Sequence, residues 1–376
     1  MKVLLGLSGG VDSAISAYLL KKTGYDVTGG FMRNWDAMTN NDFLGNPTIN
    51  DNQCPQEKDY DDAKAVAAKL GIPLLRCDFV KEYWDEVFSY FLSEYKKGRT
   101  PNPDVFCNKY IKFDSFLSYA KAQGFDAIAM GHYAKRGVYE GHNYLFKPKD
   151  LAKDQTYFLC QINEEQISSC LFPMSDITKV EARAIAKELG LSEVADKHGS
   201  TGVCFIGERN FRQFLHNYFP ATKGQIIDVD NGKVLGEHMG VLYYTLGQRK
   251  GLGIGGVSGE SDEAWFICKK DVTRNILYVA HGNEDEHLNS DRCEVTDVNW
   301  IGPKPEYPLQ IGVKFRYRQP DQPCTLTFEG EKVVLHYAAP YKAVTPGQFA
   351  VFYLEGRMLG GGIIDKTFYQ GRRVDL

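Results

Sequence analysis

The sequence lacks the features that mark membrane proteins, secreted proteins and metal knuckles. Within 376 residues, no apolar run approaches the ~18 residues that a membrane-spanning helix requires. One lysine and a short apolar run open the chain, too little for a secretory signal. The nine cysteines are far apart, Cys160 and Cys170 being the closest two, which excludes a C-x-x-C metal site and a dense disulfide framework. These absences predict a cytoplasmic protein whose cysteines are mostly buried thiols.

The charge balance excludes a further class. A net charge of −4 argues against unselective binding of nucleic acid over the whole surface. Local basic clusters remain, among them residues 147–153 and 314–318. The composition, 43% hydrophobic and 24% charged, is that of an ordinary globular protein. A chain of this length predicts two or three domains.

Strand and helix patterns alternate over the first ~200 residues, which predicts a parallel sheet covered on both faces. Strands are expected at 3–7, 25–31, 74–77 and 126–130, and helices at 14–22, 60–70, 82–97, 109–120, 179–189 and 210–219. The polar stretch between Trp35 and Asp59 is expected to be a long surface loop. From about residue 281, short alternating strands predict a small β-barrel. We therefore expect an α/β domain over 1–207, a small central domain over 208–280 and a β-barrel over 281–376.

The turn after the first predicted strand is the most informative segment. Apolar residues 3–7 lead directly into Ser8–Ser13, which reads Ser-Gly-Gly-Val-Asp-Ser, and a helical pattern begins at Ala14. Glycines at such a turn let several backbone N–H groups point at one anion, so the turn predicts a phosphate site. The spacing fits neither G-x-x-x-x-G-K-[ST] nor G-x-G-x-x-G. The string resembles the loop of enzymes that cleave ATP between its α and β phosphates; a generic glycine turn is the alternative.

A second candidate segment contains Asp104 and Cys107. Two prolines flank Asn102 and predict a rigid, extended stretch that ends where the next helix begins. A cysteine close to a helix N-terminus, with two lysines nearby, is expected to have a lowered pKa and to be partly thiolate. A buried cysteine in a turn is the alternative. Asp104 suits a general acid or base, a helix N-cap, or both.

A third candidate is Cys204, which glycines and hydroxyl residues surround over 198–207. This composition predicts a loop that can carry a thiol to a site rather than a core strand. Cys107 and Cys204 are so far apart in the chain that only the fold can bring them together.

These segments and several others occur in the same order in the tRNA-specific 2-thiouridylases of the MnmA type, which this chain resembles over essentially its whole length. The segments are Ser8–Ser13, Thr100–Phe113, Gly131–Tyr133, Lys153–Gln155, Ser200–Arg209, Thr245–Leu252, Arg316–Gln319 and Thr345–Gln348. Two departures are visible. Ala14 replaces a serine that is frequent in the family, and the asparagine-rich loop at 36–58 is long.

The resemblance implies a fold and an activity. The fold is a parallel-sheet α/β domain of the adenine nucleotide alpha-hydrolase type, that is, a pyrophosphate-loop ATP pyrophosphatase. The activity is replacement of the C2 oxygen of wobble uridine 34 in tRNA by sulfur, after ATP adenylates that oxygen. The implied ATP residues are Gly6, Leu7, Ser8, Gly9, Gly10, Val11, Asp12, Ser13, Met32 and Gly131. Mg²⁺ would balance the phosphate charge, with Asp12 as its ligand; simple core packing is the alternative for Met32.

The resemblance also implies roles for the two cysteines. Cys204 would carry a persulfide received from a sulfur-relay protein, Cys107 would be its partner thiol, and Asp104 would be the acid or base. Two routes stay open. The persulfide attacks C2 directly and a Cys107–Cys204 disulfide follows, or Cys107 first releases hydrosulfide, which then attacks. Both routes require the sulfurs to meet and a reductant to reset them.

The implied partner is the anticodon loop of tRNA, from which uridine 34 must be splayed out. The residues that the resemblance places on the flipped base are Asn102, Pro103 and Asp104. Those that it places on the rest of the tRNA are His132, Lys153, Asp154, Gln155, Arg316, Tyr317 and Gln348. A satisfied strand-end histidine is the alternative for His132. We expect no membrane partner and a monomer.

Two other functions compete with this interpretation. Another pyrophosphate-loop ligase, such as an amidating synthetase or a lysidine-forming tRNA enzyme, would need an amine nucleophile and no pair of cysteines. A non-catalytic RNA-binding protein could use the barrel and retain a turn without activity. Loss of activity in a Cys204→Ser variant would exclude the first, and tRNA-stimulated conversion of ATP to AMP would exclude the second.

Overall fold

The first part of the chain forms the predicted α/β domain. The computed structural model describes residues 1–46, 55–191, 211–254, 263–283 and 285–374. Strands of the first part are β1 (Lys2–Gly6), β2 (Asp26–Arg33), β3 (Leu74–Asp78), β4 (Ala127–Ala129), β5 (Lys135–Tyr139), β6 (His142–Phe146) and β7 (Cys170–Leu171). Five of them form a parallel sheet in the order β3-β2-β1-β4-β7. The strand order reverses between β1 and β4, and ligands of such sheets bind outside the carboxyl ends of the strands at that point.

Helices cover both faces of this sheet, as predicted. They are α1 (Val11–Lys22), α2 (Pro55–Leu70), α3 (Val80–Tyr83), α4 (Ser89–Lys96), α5 (Pro103–Phe106), α6 (Phe116–Ala122), α7 (Glu164–Ser168) and α8 (Lys179–Glu188). The π-helical segments Trp84–Phe88 and Cys107–Ser115 join α3 to α4 and α5 to α6. Alternate residues of β1 enter opposite cores, Val3 and Leu5 on the α1 side and Leu4 on the other. The apolar strands of the sequence are thus explained by burial on both faces.

The prediction of a long surface loop between Trp35 and Asp59 is wrong at both ends. The helix α2 begins at Pro55, and Trp35, Asn40 and Asp42 are at most 2% exposed. The indole Nε1 of Trp35 donates to Asp42 Oδ2 at 3.1 Å, and the Tyr218 hydroxyl donates to the Asn40 carbonyl at 2.7 Å. Polar residues here are buried because they bond to one another and to a distant segment, which composition does not reveal.

The second part of the chain contains a short helix and a small sheet. Helix α9 (Phe211–His216) precedes strands β8 (Gly224–Asp228), β9 (Val234–His238), β10 (Trp265–Asp271) and β11 (Ile276–His281). They form a sheet in the order β10-β11-β8-β9. Gly98 packs against the end of β10 in this sheet. A Cβ at Gly98 would lie 2.3 Å from Cγ2 of Val272, the residue after β10. The central sheet therefore touches the segment that precedes Asp104.

The third part is the predicted β-barrel. Its strands are β12 (Asn289–Trp300), β13 (Leu309–Lys314), β14 (Gln322–Glu329), β15 (Lys332–Lys342), β16 (Phe349–Leu354), β17 (Arg357–Tyr369) and β18 (Arg372–Arg373). Strands β12-β15-β14-β13-β16-β17 follow one another, and pairing of β12 with β17 closes the ring. Closure removes the exposed sheet edges that short antiparallel strands would otherwise leave.

A hairpin from the first part of the chain extends this barrel sheet. Strands β5 and β6 pair with each other, and β6 continues onto β17 through Leu145 and Phe146. The apolar core on that side runs without interruption from the α/β domain into the barrel. Domain borders drawn along the sequence therefore do not separate independent cores. Within the described ranges, no helix has the length and apolar character needed to cross a bilayer.

Candidate active site at the switch point of the sheet

The turn between β1 and α1 is closed by its own hydroxyl groups. Ser8 N donates to Ser13 Oγ at 3.2 Å, and Ser13 Oγ donates to the Gly10 carbonyl at 2.9 Å. Gly9 has a φ of +76°, and a Cβ there would lie 2.8 Å from Asp62 Cβ, so only glycine fits against α2. Gly10 is the N-cap, and α1 begins at Val11, three residues earlier than its apolar pattern predicts. The turn thus presents the N-terminus of a 12-residue helix at the carboxyl edge of the sheet.

Gly131 lies against this turn from the neighbouring strand. A Cβ at Gly131 would approach Asp12 C within 3.1 Å and Ser13 N within 3.2 Å. The backbone after β4 therefore packs directly on the first turn of α1. The two segments that were predicted to bind one nucleotide, far apart in sequence, are in contact at the switch point.

Two methionine side chains pack beside Gly6. A Cβ at Gly6 would lie 2.9 Å from Met130 Sδ and 3.1 Å from Met32 Cε. Met32 is 8% exposed and belongs to the core on the far side of the sheet from α1. Glycine at position 6 thus leaves the space that these thioethers fill.

Asp12 has two partners that sequence reasoning missed. Lys179 Nζ lies 2.7 Å from both Asp12 carboxylate oxygens, and the Tyr133 hydroxyl donates to Asp12 Oδ1 at 2.9 Å. Burial, and then the Asp12 charge, raises the pKa of Tyr133, which stays a neutral donor. A signal for Lys179 was present, since Thr178 and Glu181 form a capping box that marks the start of α8.

Asp12 is a single carboxylate, open to Mg²⁺ only when Lys179 Nζ no longer pairs with both of its oxygens. No group of three or more acidic, histidine or cysteine side chains that could hold a metal ion occurs among the described residues. Mg²⁺ bound to nucleotides commonly uses one or two protein carboxylates, with phosphates and water completing the shell. The single carboxylate at this turn matches Mg²⁺ bound together with a nucleotide, not a metal site made wholly of protein ligands.

Asn102, Pro103 and Asp104 form the start of a helix, close to where the sequence predicted it. Asn102 is extended (φ −113°, ψ 97°) and is the N-cap, since Asp104 N donates to its Oδ1 at 3.2 Å. The cap role weighed for Asp104 therefore belongs to Asn102, and Pro103 takes the first helical position. Cys107 is wholly buried at the junction of α5 with the π-helical segment. Segments of π-helix frequently mark functional positions.

The barrel and the central domain hold the stretch before Asp104. Thr100 N donates to the Pro346 carbonyl at 3.0 Å, and Gln348 Nε2 donates to the Thr100 carbonyl at 2.7 Å. Gly347, at φ +92°, allows this approach, because a Cβ there would lie 3.0 Å from the Thr100 backbone. Thr100 Oγ1 also bonds Thr245 Oγ1 at 3.4 Å. Two motifs of the sequence, Thr100–Phe113 and Thr345–Gln348, thus meet.

Asp154, one of the residues expected to contact tRNA, is buried and bonded within the protein. It is 4% exposed; its Oδ1 accepts from the Thr156 hydroxyl at 2.6 Å, and its Oδ2 accepts from Lys314 Nζ at 2.7 Å. Lys153 beside it is half-buried. Gln155 Oε1 accepts from Tyr133 N at 2.9 Å, so this residue supports the segment after β4.

Arg316 and Tyr317 lie where the barrel meets the α/β domain. Arg316 Nη2 donates to the Ala343 carbonyl at 2.9 Å and to Thr345 Oγ1 at 2.7 Å. The Tyr317 ring packs on Phe158, with centroids 4.4 Å apart. The Phe158 carbonyl accepts from the side-chain amide of Asn108, the residue after Cys107, at 3.0 Å. These residues connect the barrel to the helix that contains Cys107.

His132 is buried beside the nucleotide turn. It is 9% exposed, and its Nδ1 has no hydrogen-bond partner. Burial, and to a smaller extent the Lys112 charge, holds the pKa of His132 well below 6.5, so the ring is neutral at pH 7. Among the described residues, no protein group pairs with Nδ1, and the tRNA contact of His132 stays a prediction beside its structural alternative.

Cys204 lies outside the described residues, as does the whole predicted loop over 198–207. The expectation that its thiol meets Cys107 therefore stays a prediction. Residues 47–54 of the asparagine-rich segment also lie outside the described ranges.

Comparison with known proteins identifies the family. Three family models match in order: the tRNA methyl transferase HUP domain over residues 1–208, the tRNA methyl transferase PRC-barrel domain over 212–281 and the aminomethyltransferase beta-barrel domain over 290–364. A tRNA-specific 2-thiouridylase MnmA from Mycoplasma capricolum is 53% identical over 379 residues, covering 97% of this chain and 99% of the relative. The chain belongs to the MnmA family of tRNA-specific 2-thiouridylases. This finding confirms the predicted family and fold class.

Other relatives agree. The MnmA of Ureaplasma urealyticum is 49% identical over 379 residues, covering 100% of this chain and 98% of that protein. Among solved structures, a predicted subunit of tRNA methyltransferase from Methanocaldococcus jannaschii is 16% identical over 50% of this chain and 75% of that chain. Its TM-score of 0.31 is too low to support any functional inference.

Proposed function

We propose that this protein is a tRNA-uridine 2-sulfurtransferase that makes 2-thiouridine at wobble position 34. The observation that carries the proposal is likeness at about half identity, over nearly the whole chain, to tRNA-specific 2-thiouridylases. At the level of the family, the predicted enzyme class and uridine 2-thiolation are confirmed. Residue roles, the wobble position and the order of chemical steps are proposals.

ATP is the proposed activating substrate. Oxygen at C2 of uridine is a poor leaving group, and adenylation converts it into one that departs as AMP. The turn Gly6–Ser13 supplies backbone N–H groups for the phosphates, and Gly131 and Met32 complete the nucleotide site. Contact of Gly131 with the first turn of α1 supports one shared site. Mg²⁺, held by Asp12 when bound, would neutralise phosphate charge.

Sulfur transfer is assigned to the cysteine pair. In the direct route, the terminal sulfur of a Cys204 persulfide bonds to C2 and AMP leaves. Cys107 thiolate then attacks Cys204 sulfur, which forms a disulfide and releases the thiocarbonyl. In the other route, Cys107 attacks the inner sulfur and frees hydrosulfide, which displaces AMP. A dithiol reductant returns the disulfide to two thiols in both cases.

Asp104 and Asn102 are proposed to receive the flipped base. Asp104 is half-buried within the same helical run as Cys107, three residues before it, where it can exchange a proton with the base or the thiol. Cys107 itself is wholly buried. The barrel holds the stretch that precedes it, through Pro346 and Gln348.

The tRNA surface is proposed to lie along the junction of barrel and α/β domain. Its exposed and half-buried members, Lys153, Tyr317 and Arg318, suit phosphate contact and stacking. His132 offers an unpaired ring nitrogen next to the nucleotide turn. Asp154, Gln155, Arg316 and Gln348 are bonded internally, and we assign them to positioning this surface. A sulfur-relay donor, a monomer and a cytoplasmic location stay parts of the proposal.

Mass spectrometry of tRNA incubated with the enzyme, ATP, Mg²⁺ and a persulfide donor tests the function. We expect replacement of one oxygen by sulfur at a single anticodon uridine, together with formation of AMP. Cys204→Ser and Cys107→Ser should abolish the product. Cys268→Ser is the matched control, since this buried thiol belongs to the central sheet. Full activity in Cys204→Ser would contradict the proposal and favour an amine-using ligase.

A further inference from the structure

Asp12 places a negative charge at a turn that is proposed to bind phosphate. It is the second residue of α1, close to the N–H groups that would hold the anion. An unneutralised carboxylate there would repel a triphosphate. The Lys179 ammonium neutralises this charge, because its Nζ lies 2.7 Å from both carboxylate oxygens. The turn is therefore electrically neutral only as long as the Asp12 carboxylate has a cation.

The backbone of Lys179 is held in place by a hydrogen bond and by its position in α8. It is the first residue of α8, and its N–H donates to Asp150 Oδ2 at 2.9 Å. The Lys179 side chain is 13% exposed and that of Asp12 is 33% exposed, so the pair opens towards solvent on the Asp12 side. A lysine stem has several rotatable bonds and can move its ammonium between nearby acceptors while the backbone stays in place.

We propose that Lys179 is a phosphate ligand that changes its partner. In the nucleotide-free enzyme it neutralises Asp12, and in the nucleotide complex its ammonium binds phosphate oxygens of ATP. This inference rests on the proposed function, because it requires ATP at the turn. Asp12, released from Lys179, is then available to the Mg²⁺ that accompanies the nucleotide. Tyr133 remains on Asp12 Oδ1 and keeps the carboxylate oriented.

The exchange explains why a carboxylate, a lysine and a tyrosine converge on this turn. A lysine that only stabilised the fold could pair with an acid anywhere on the surface. Lys179 instead pairs, from α8, with the carboxylate nearest the proposed phosphate position. The nucleotide brings new negative charge to that position and Mg²⁺ brings positive charge to Asp12. Both changes weaken the original ion pair and favour the second one.

Equilibrium binding of metal-free ATP, with a chelator present, tests the exchange without catalysis. The decisive comparison is Asp12→Asn against the double variant Asp12→Asn/Lys179→Met, because neither leaves a carboxylate unpaired. If Lys179 binds phosphate, the double variant binds ATP about 10- to 100-fold more weakly than Asp12→Asn. Adenosine, which has no phosphate, should bind both variants equally. Equal affinity of the two variants for ATP would overturn the inference.

Controls separate this inference from the proposed function. Lys149→Met removes the exposed ion pair between Lys149 and Glu181 of α8 and should leave ATP affinity unchanged. Lys179→Arg should retain most of the affinity, and thermal melting checks the fold of each variant. Wild-type protein that binds no ATP overturns the proposed function and this inference with it. Wild-type protein that binds ATP, with equal affinities in Asp12→Asn and the double variant, overturns the inference alone.

Discussion

The turn Gly6–Ser13, proposed to bind nucleotide, and the substrate segment, Thr100–Asp104, proposed to bind the uridine, differ in what holds them in place. Gly6–Ser13 is closed by its own serines and packed on α1, α2 and Gly131, all within the α/β domain. Thr100, by contrast, is bonded to the barrel at Pro346 and Gln348 and to the central domain at Thr245. The turn is therefore held within one domain, which is the first side of the site. The substrate segment, the second side, is held by contacts from three domains. If tRNA binds the barrel as proposed, it contacts elements that hold the second side and none that hold the first.

The largest expected effect concerns the joint between the two domains. Asp154→Ala leaves the buried Lys314 ammonium with only the more distant Asp321 carboxylate, 4.0 Å away, and loss of one partner of a buried ion pair costs about 3–5 kcal/mol. Chemical denaturation should show this loss of unfolding free energy. Lys121→Ala, which breaks an exposed ion pair with Glu165, should cost about 0–1 kcal/mol. Equal costs would mean that the Asp154 joint is no stronger than a surface contact.

The nucleotide side is tested by two glycines of similar conformation. Gly9→Ala forces a Cβ to 2.8 Å from Asp62 Cβ at a positive φ, which should cost about 2–4 kcal/mol and weaken ATP binding. Gly24 has a φ of +87° with open space around it, so Gly24→Ala should cost only about 1 kcal/mol. Binding of ATP and thermal melting measure both. Similar losses of ATP affinity would show that the close approach at Gly9 is unimportant.

The substrate side should depend on pH through Lys270 of β10. Burial lowers the pKa of this lysine from 10.5 to about 7, and its Nζ donates to the Tyr244 carbonyl at 2.7 Å. The unfolded chain therefore binds more protons than the folded one between these values, so stability rises with pH across this window. Between pH 7 and pH 9 the gain is about 2 kcal/mol. Lys270→Met should flatten the curve, and an unchanged slope would contradict the assignment.

The smallest effect is expected for Gln348→Ala. It removes the bond to the Thr100 carbonyl, which is worth about 1 kcal/mol. If Gln348 positions the substrate segment, kcat for thiolation falls while the Kd for tRNA stays close to the wild-type value. Gln348→Glu keeps the size but replaces the donor by a carboxylate that the Thr100 carbonyl repels, so kcat should fall at least as far as in Gln348→Ala. A weakened Kd with unchanged kcat would instead make Gln348 a direct tRNA contact.

The sequence predicted the helices and strands more reliably than it predicted which residues of the connecting segments are buried. The parallel sheet, the barrel and the helix start near Asp104 follow from periodicity, prolines and glycines, which act over a few residues. Burial of Trp35 and Asp42 was not predicted, because polar residues are expected at the surface unless a distant partner is known. The hairpin β5–β6 joining the barrel sheet was missed for the same reason.

Amino-acid order alone determined the chemistry that is available: a glycine-rich turn between strand and helix, an acid three residues before a thiol, and a second thiol at Cys204. Tertiary structure alone decided what contacts the turn and the segment that contains the acid. It brought Gly131 onto the turn, Lys179 onto Asp12 and the barrel onto Thr100, over separations of a hundred residues or more in each case. Short-range propensities are set by neighbours in the chain, whereas such contacts depend on how sheets and helices pack, which no local pattern records.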